Sequence, residues 1–258
     1  MGILTAALYK YVTEHLPSAK FEDATDMVDE IKAIKSDEEI SLIRETCELQ
    51  DKLVDYLLTL VQPGKVDHLI RAEIVRKCAE LGSLDTNVFA MSAPAGTAIK
   101  MHAGPRILEN GDAFAILLET DSPTCYWGEL SCTVCIGKIP QELRDNYEIA
   151  KAAQKVAVDL LKPGVSPKTI WNAINAFLKS KGFPEETRIN AHGQGYDMVE
   201  RPSLVAEETM KIHPRTFFAI HPTARSAGAL GWISNNFLLL DNGKTELVHK
   251  TPQKIFVV

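Results

Sequence analysis

The sequence predicts an α+β fold built from two similar halves, and repeated punctuation along the chain is the first observation that supports it. The pairs Pro63-Gly64 and Pro163-Gly164 lie 100 residues apart, and so do Gly82 and Gly182. Each Pro-Gly pair ends a long helical pattern, and each single glycine ends the next one. A repeat of this kind indicates an internal duplication of a helix-helix-strand unit.

Two matching apolar strand patterns are the second observation. Phe114-Ala115-Ile116 is followed 104 residues later by Phe218-Ala219-Ile220. Two stacked copies related by a pseudo-twofold axis would form one curved antiparallel sheet backed by four helices. Leu117 and His221 would then occupy equivalent positions and would point into a cleft between the halves.

The order of the elements follows from apolar periodicity and from capping signals. Ser36 and Glu39 have the spacing of a capping box, so a long helix should begin at Ser36 and end at Pro63-Gly64. Residues 1–33 are predicted to be the remnant of an N-terminal domain, and residues 34–258 a catalytic-type domain. Further helices are expected near 67–81, 142–162 and 167–181, and strands near 87–91, 112–119, 124–137, 188–192, 216–221 and 231–240.

Composition narrows the class of protein. The chain has 258 residues, of which 45% are hydrophobic and 24% charged, values that are typical of a globular protein. A formal net charge of -6 argues against nucleic acid as the main partner, because polyanion binding usually needs a basic face. No apolar run is long enough for a membrane helix, so neither a membrane partner nor a secretory leader is expected, and the predicted location is cytoplasmic.

Three side chains stand out as chemistry-bearing. Glu129 interrupts an apolar strand, where a buried anion needs a partner, a proton or a metal ion. His192 opens the segment His-Gly-Gln-Gly, whose glycines allow close approach, and His221 ends an apolar strand. Taken alone, each could also be an ordinary structural residue. The other candidate histidines, among them His249, are expected to be solvated.

Seven short stretches in a fixed order resemble the creatinase/aminopeptidase superfamily of M24-like peptidases, which have the pita-bread fold. They are Ile34 to Ile40, Leu161 to Gly164, Lys181 to Pro184, His192 to Gly195, Glu200 to Pro202, Phe218 to Pro222 and Asn242-Gly243. The resemblance extends from about residue 34 to the C-terminus. It implies a pita-bread fold with a curved antiparallel sheet.

The resemblance also implies a metal site that this chain has altered. Metallopeptidases of the superfamily hold two metal ions with two Asp, one His and two Glu. The corresponding positions here are Leu117 or Leu118, then Glu129, His192, His221 and Ser234. The three that can still ligate, Glu129, His192 and His221, form a donor set suited to one Fe, Zn, Mn or Ni ion.

From these departures we expect a non-peptidase hydrolase or lyase acting on a small polar molecule, at a C-N or similar bond, rather than a dinuclear aminopeptidase. His102 and Glu129 are the predicted catalytic residues, and Tyr196, Glu200 and Trp127 the predicted substrate contacts. Two alternatives remain open: a creatinase-like hydrolase without metal, and a pseudoenzyme or binding module. A small-molecule substrate is expected, and a homodimer is an open option.

Overall fold

The α+β prediction is confirmed by a computed structural model, which describes residues 4–100 and 105–258. Its helices are α1 Ala6–His15, α2 Thr25–Ala33, α3 Asp37–Leu60, α4 Asp67–Glu80, α5 Gln141–Leu160 and α6 Pro167–Ser180. Its strands are β1 Thr86–Ala93, β2 Ala113–Thr120, β3 Gly128–Cys135, β4 Ala191–Gly193, β5 Glu200–Ser203, β6 Phe217–Ile220, β7 Thr223–Arg225, β8 Leu230–Trp232, β9 Asn235–Leu239, β10 Thr245–Leu247 and β11 Ile255–Val257.

The two halves share local geometry as well as element order. Gly64 and Gly164 both adopt positive φ, at 84° and 81°, in the turns after α3 and α5. Gly64 donates its N–H to the carbonyl of Leu108 at 2.8 Å, and Gly164 donates to Ile212 at 2.7 Å. Equivalent turns are therefore tied down by equivalent backbone bonds, as a duplication requires.

The long helix α3 begins where the capping signal places it. The Ser36 hydroxyl accepts from the backbone N–H of Glu39, and the Glu39 carboxylate accepts from the N–H of Ser36. This reciprocal pair satisfies donors that would otherwise be orphaned in the first turn. The buried face of α3 carries Leu53 and Leu57, which pack in one apolar cluster with Phe114 of β2.

The strands form two main sheets and one hairpin in place of the single sheet predicted. The first sheet has the order β1-β2-β3-β11, and the second has the order β10-β9-β6-β4-β5. Pairing is antiparallel throughout except that β11 runs parallel to β3. The sheets meet where Ser131 of β3 donates its N–H to the carbonyl of Ser234, whose own N–H donates to the Ser131 hydroxyl.

This junction explains why the strand predicted over residues 231–240 is interrupted. Ser234 bonds to the first sheet, so β8 ends before it and β9 begins after it. The strand predicted over 124–137 also begins late, at Gly128, because Cys125 has φ 63° and closes a turn with Ser122.

The junction is extended by a buried chain of polar side chains that includes His249. The prediction that His249 is solvated is wrong, since only 4% of it is exposed. Its Nε2 donates to the Gln50 side chain at 2.9 Å, and its Nδ1 accepts from the N–H of Asn236. Burial lowers the pKa of His249 to about 4, which keeps the ring neutral for these two bonds.

The N-terminal helices differ in how they attach. None of the side chains of α1 is buried, whereas α2 lies against β5. Arg201 of β5 pairs with Asp26 and Asp29 of α2, and the buried Lys35 pairs with Glu200. The division at residues 33 and 34 remains a prediction. Within the two described ranges, no helix is both long and apolar enough to cross a membrane.

The hairpin β7–β8 lies against α5 with almost no space between the backbones. Ala224 packs in a cluster with Tyr147 and Ala150 of α5. A Cβ atom on Gly231 would overlap the carbonyl group of Asn146 in the same helix. Glycine is required here by the close approach of two backbones.

The loop after β5 is held by the Glu208 carboxylate. It accepts from the Arg201 guanidinium and from the backbone N–H groups of Ser203 and Met210. Ser203 pairs with His192 across the second sheet. Burial alone would raise the pKa of Glu208, but these hydrogen bonds outweigh burial and lower it.

Replacing Gly231 by Ala should lower the free energy of unfolding by about 1–3 kcal/mol, because helix and hairpin must separate to admit the methyl group. Gly228→Ala is the matched control, since the atoms that its Cβ would meet belong to the flexible Glu142 side chain. Urea denaturation measures both. Equal, small effects would show that the hairpin is not held tightly against α5.

Replacing Glu208 by Gln should lower the free energy of unfolding by about 2 kcal/mol at neutral pH. The folded pKa lies below the unfolded value of about 4.3, so this stabilisation is present above that pH and is lost as pH falls through the folded pKa. The difference between the wild type and the variant should therefore shrink in acid. Urea denaturation across pH, with the exposed Glu207→Gln as control, tests this, and a pH-independent difference contradicts it.

Candidate metal centre

The structure brings Glu129, His192 and His221 together from three separate elements. Glu129 lies on β3 of the first half, His192 lies on β4, and His221 directly follows β6. One candidate ligand atom from each side chain lies within 4.8 Å of the other two. The Nε2 atom of His192 is 3.6 Å from Oε2 of Glu129, and the two imidazole centroids are 5.2 Å apart.

The Glu129 carboxylate is buried and only half satisfied. Its Oε1 accepts a hydrogen bond from the Ser234 hydroxyl at 2.5 Å. Its Oε2 is buried too, and it has no hydrogen-bond partner among the described residues. An unpaired buried carboxylate oxygen is costly, so this atom is suited to a cation held between it and the imidazoles.

The hydrogen bonding of His192 presents the correct nitrogen. Its Nδ1 lies 2.8 Å from the carbonyl oxygen of Gly193, to which it can only donate. In the neutral ring this bond leaves the lone pair on Nε2, which faces Glu129. A ligating histidine is commonly oriented in this way by a carbonyl on its other nitrogen. His221 is placed beside it because its backbone N–H donates to the carbonyl of Asn190.

Electrostatics keep two of the three groups ready to ligate. Burial would raise the pKa of Glu129, but His221, His192 and the Ser234 hydroxyl outweigh it and lower that pKa to about 2. Burial lowers the pKa of His221 to about 4 and keeps its ring neutral. The pKa of His192 is raised, since the neighbouring Glu129 outweighs the opposing effect of burial. The ionised carboxylate and the neutral His221 are forms that a cation can bind.

A second carboxylate faces the trio. Glu119 of β2 lies directly opposite Glu129 across the β2–β3 pair, and it accepts a hydrogen bond from the Asn87 side chain. Burial and the charge of Glu129 raise the pKa of Glu119 to about 7. Sequence alternation alone left its face uncertain. The cross-strand register places it on the same side as Glu129.

The positions that have lost their carboxylates are now resolved. Leu117 lies on the face of β2 that carries Glu119 and packs against Trp232, whereas Leu118 belongs to the core beneath the first sheet. Ser234, at the other altered position, is buried and donates to Glu129. In residues 4–100 and 105–258, Glu129, His192 and His221 form the only cluster of three potential metal ligands. The donor set present fits one ion.

The trio opens into a cavity of about 250 Å³. Sequence reasoning missed Arg188 and Trp232 in its wall, because both reach it only through the packing of the second half. The lining residues are Phe89, Leu117, Glu119, Glu129, Arg188, Ile189, His192, Val199, His221 and Trp232.

The three predicted substrate contacts lie elsewhere. Tyr196 is 62% exposed and lies edge-on to Tyr126, and Trp127 donates its backbone N–H to the carbonyl of Gly195. Glu200 is buried, with Lys35 on one oxygen and the N–H of Asp197 on the other. None of the three lines the cavity, and their role as substrate contacts remains a prediction. The predicted catalytic residue His102 lies outside the described residues.

Comparison with known proteins adds a family to this geometry. The family model described as metallopeptidase family M24 matches residues 41–241. The chain belongs to this family. A curated relative, the Xaa-Pro dipeptidase of Pyrococcus horikoshii, is 24% identical over 99% of this chain and 74% of that protein.

Solved structures give the same fold. The X-Pro aminopeptidase of Thermotoga maritima matches 99% of this chain and 73% of its own, with a TM-score of 0.87 and 21% identity. The Xaa-Pro dipeptidase of Bacillus anthracis matches 99% and 72%, with a TM-score of 0.86 and 20% identity. The predicted superfamily and its pita-bread fold are confirmed. Family membership supports a hydrolase.

The expectation of a non-peptidase enzyme acting on a small polar molecule is wrong. The relatives are named as dipeptidases and an aminopeptidase, which points to peptides as the substrate class. The expectation gave too much weight to the lost carboxylates at Leu117 and Ser234. Their loss changes how many ions the donors can hold, but it does not by itself change the class of reaction.

Proposed function

We propose that this protein is a hydrolase of short peptides and that Glu129, His192 and His221 hold one divalent cation. The observation that carries the proposal is the buried, unpartnered Oε2 of Glu129 beside two imidazoles. The family supplies the reaction class, and the relatives' names supply the substrate class. A short peptide is consistent with the predicted small-molecule substrate. A cytoplasmic location and a homodimer are carried forward as proposals.

One ion, rather than two, follows from the chemistry of the neighbouring side chains. Leu117 offers no ligand atom and packs against Trp232. The Ser234 hydroxyl is already committed as a donor to Glu129. Hard and borderline divalent ions need carboxylate or imidazole donors, and neither residue provides one.

The surrounding residues prepare the donors and shape the cavity. When bound, a divalent ion would supply Lewis acidity toward a peptide carbonyl and would lower the pKa of water. The Ser234 hydroxyl fixes the Glu129 carboxylate, and the Gly193 carbonyl fixes the His192 tautomer. Leu117 and Trp232 limit the water around the reacting bond, which strengthens electrostatic interactions there.

Cation binding can be measured without turnover. Protein purified without chelator and titrated calorimetrically with Zn²⁺ or Mn²⁺ should bind one ion per chain. His192→Ala and His221→Ala should each lower the affinity by at least tenfold, because each removes one of three ligands. His213→Ala is the matched control and should leave it unchanged. Binding of two ions, or wild-type affinity in His221→Ala, would contradict the proposed centre.

Turnover tests the reaction class separately. Xaa-Pro dipeptides incubated with the metal-loaded protein should be cleaved, and Glu129→Gln should reduce the rate by at least a hundredfold. Product amines can be followed by chromatography. Absence of cleavage across a panel of dipeptides, in protein that binds its ion, would reject the peptidase assignment.

Ser234→Ala should lower the cation affinity by about 10-fold to 100-fold, because an oriented ligand loses the hydrogen bond that orients it. The exposed Ser180→Ala, at the end of α6, is the control. Calorimetric titration gives both affinities. An unchanged affinity in Ser234→Ala would show that Glu129 is oriented by its strand alone.

A further inference from the structure

A second cavity of about 300 Å³ adjoins the one at the metal centre. The two share Arg188 and Trp232 in their walls. The other residues that line the second cavity are Lys100, Thr223, Arg225 and Leu230. Three of these six lining residues are cationic and none is acidic, in a chain whose formal net charge is -6.

The second cavity is built on the outer face of the β7–β8 hairpin. Thr223 lies directly opposite Trp232, and Arg225 lies opposite Leu230. Because side chains alternate along a strand, these four share one face, while Ala224 and Gly231 turn toward α5. The close packing of Gly231 on α5 holds that outer face in place beside the metal centre.

The cations of this wall are not all neutralised by the protein. Arg188 is held by two hydrogen bonds to the buried Glu186 carboxylate, which also accepts from Thr223. Arg225 and Lys100 are exposed and form no salt bridge with any residue of the described ranges. Two uncompensated cations beside a fixed third one attract an anion, and a guanidinium matches the geometry of a carboxylate.

We propose that this cavity binds the C-terminal carboxylate of the peptide whose scissile bond lies at Glu129, His192 and His221. The inference rests on the proposed function and adds substrate selection to it. The shared wall places the carboxylate close to the scissile bond, so the preferred substrates are dipeptides and tripeptides. Leu230 and Trp232 supply an apolar surface for the last side chain, and Arg225 and Lys100 receive the charge.

Binding to the metal-free protein tests the proposal without turnover. A proline-containing dipeptide with a free carboxylate should bind about tenfold or more tightly than its C-terminal amide, because the amide lacks the charge. Arg225→Gln should weaken binding of the free acid about tenfold and leave binding of the amide unchanged. Arg225→Lys should restore part of the difference. Arg144→Gln, on the exposed side of α5, is the matched control.

The outcomes separate this inference from the proposed function. Equal affinity for acid and amide, or equal weakening of both in Arg225→Gln, overturns the carboxylate site even if one cation binds and dipeptides are cleaved. Displacement by inorganic phosphate with no peptide discrimination also overturns it, since the cavity is then a general anion site. Discrimination that persists when no cation binds at Glu129 supports the carboxylate site and rejects the metal centre. Thermal unfolding of each variant confirms that it is folded.

Discussion

The hydrogen-bonded junction between the two halves is the interaction on which the rest of the structure depends. The Asn236 side chain accepts from the backbone N–H of Glu129 and donates to Gln194 and to the carbonyl of Phe218. All these groups are buried, so breaking one bond leaves an unpaired polar group in a dry interior. The junction therefore fixes the position of β3 relative to the second sheet, and with it the position of Glu129 relative to both imidazoles.

The altered positions form a consistent chemical environment. Leu117 removes an anion from the cavity wall, and Ser234 replaces another possible anion with a donor to Glu129. Fewer negative charges in a buried site reduce the mutual repulsion that a second cation would otherwise have to balance. Glu119 is the remaining carboxylate opposite Glu129, and its raised pKa reports the same crowding of charge.

Much of the fold could be predicted because its signals are local. The start of α3 is encoded by Ser36 and Glu39, and its end by Pro63-Gly64. The duplicated turns were visible because glycine is needed at positive φ. In contrast, the break at Ser234 and the burial of His249 depend on partners more than 100 residues away in the chain, Ser131 and Gln50. Local periodicity carries no information about such bonds.

The candidate site shows the same division. The grouping of Glu129, His192 and His221 was predicted from a family resemblance, since no local pattern brings three elements together. Arg188 and Trp232 were missed because they reach the cavity only through the packing around β7–β8. The reaction class was wrong because the presence or absence of single carboxylates was taken to decide it.

The three candidate ligands come from both halves of the duplicated chain, and this has a thermodynamic consequence. A cation that binds them can do so only when the halves are docked, so it binds the folded state and not the unfolded one. By mass action, a free cation concentration 100 times the dissociation constant would add about 2.7 kcal/mol to the stability of the folded chain. The centre would then act as a clamp between the halves, and the apparent unfolding temperature would follow the concentration of available metal.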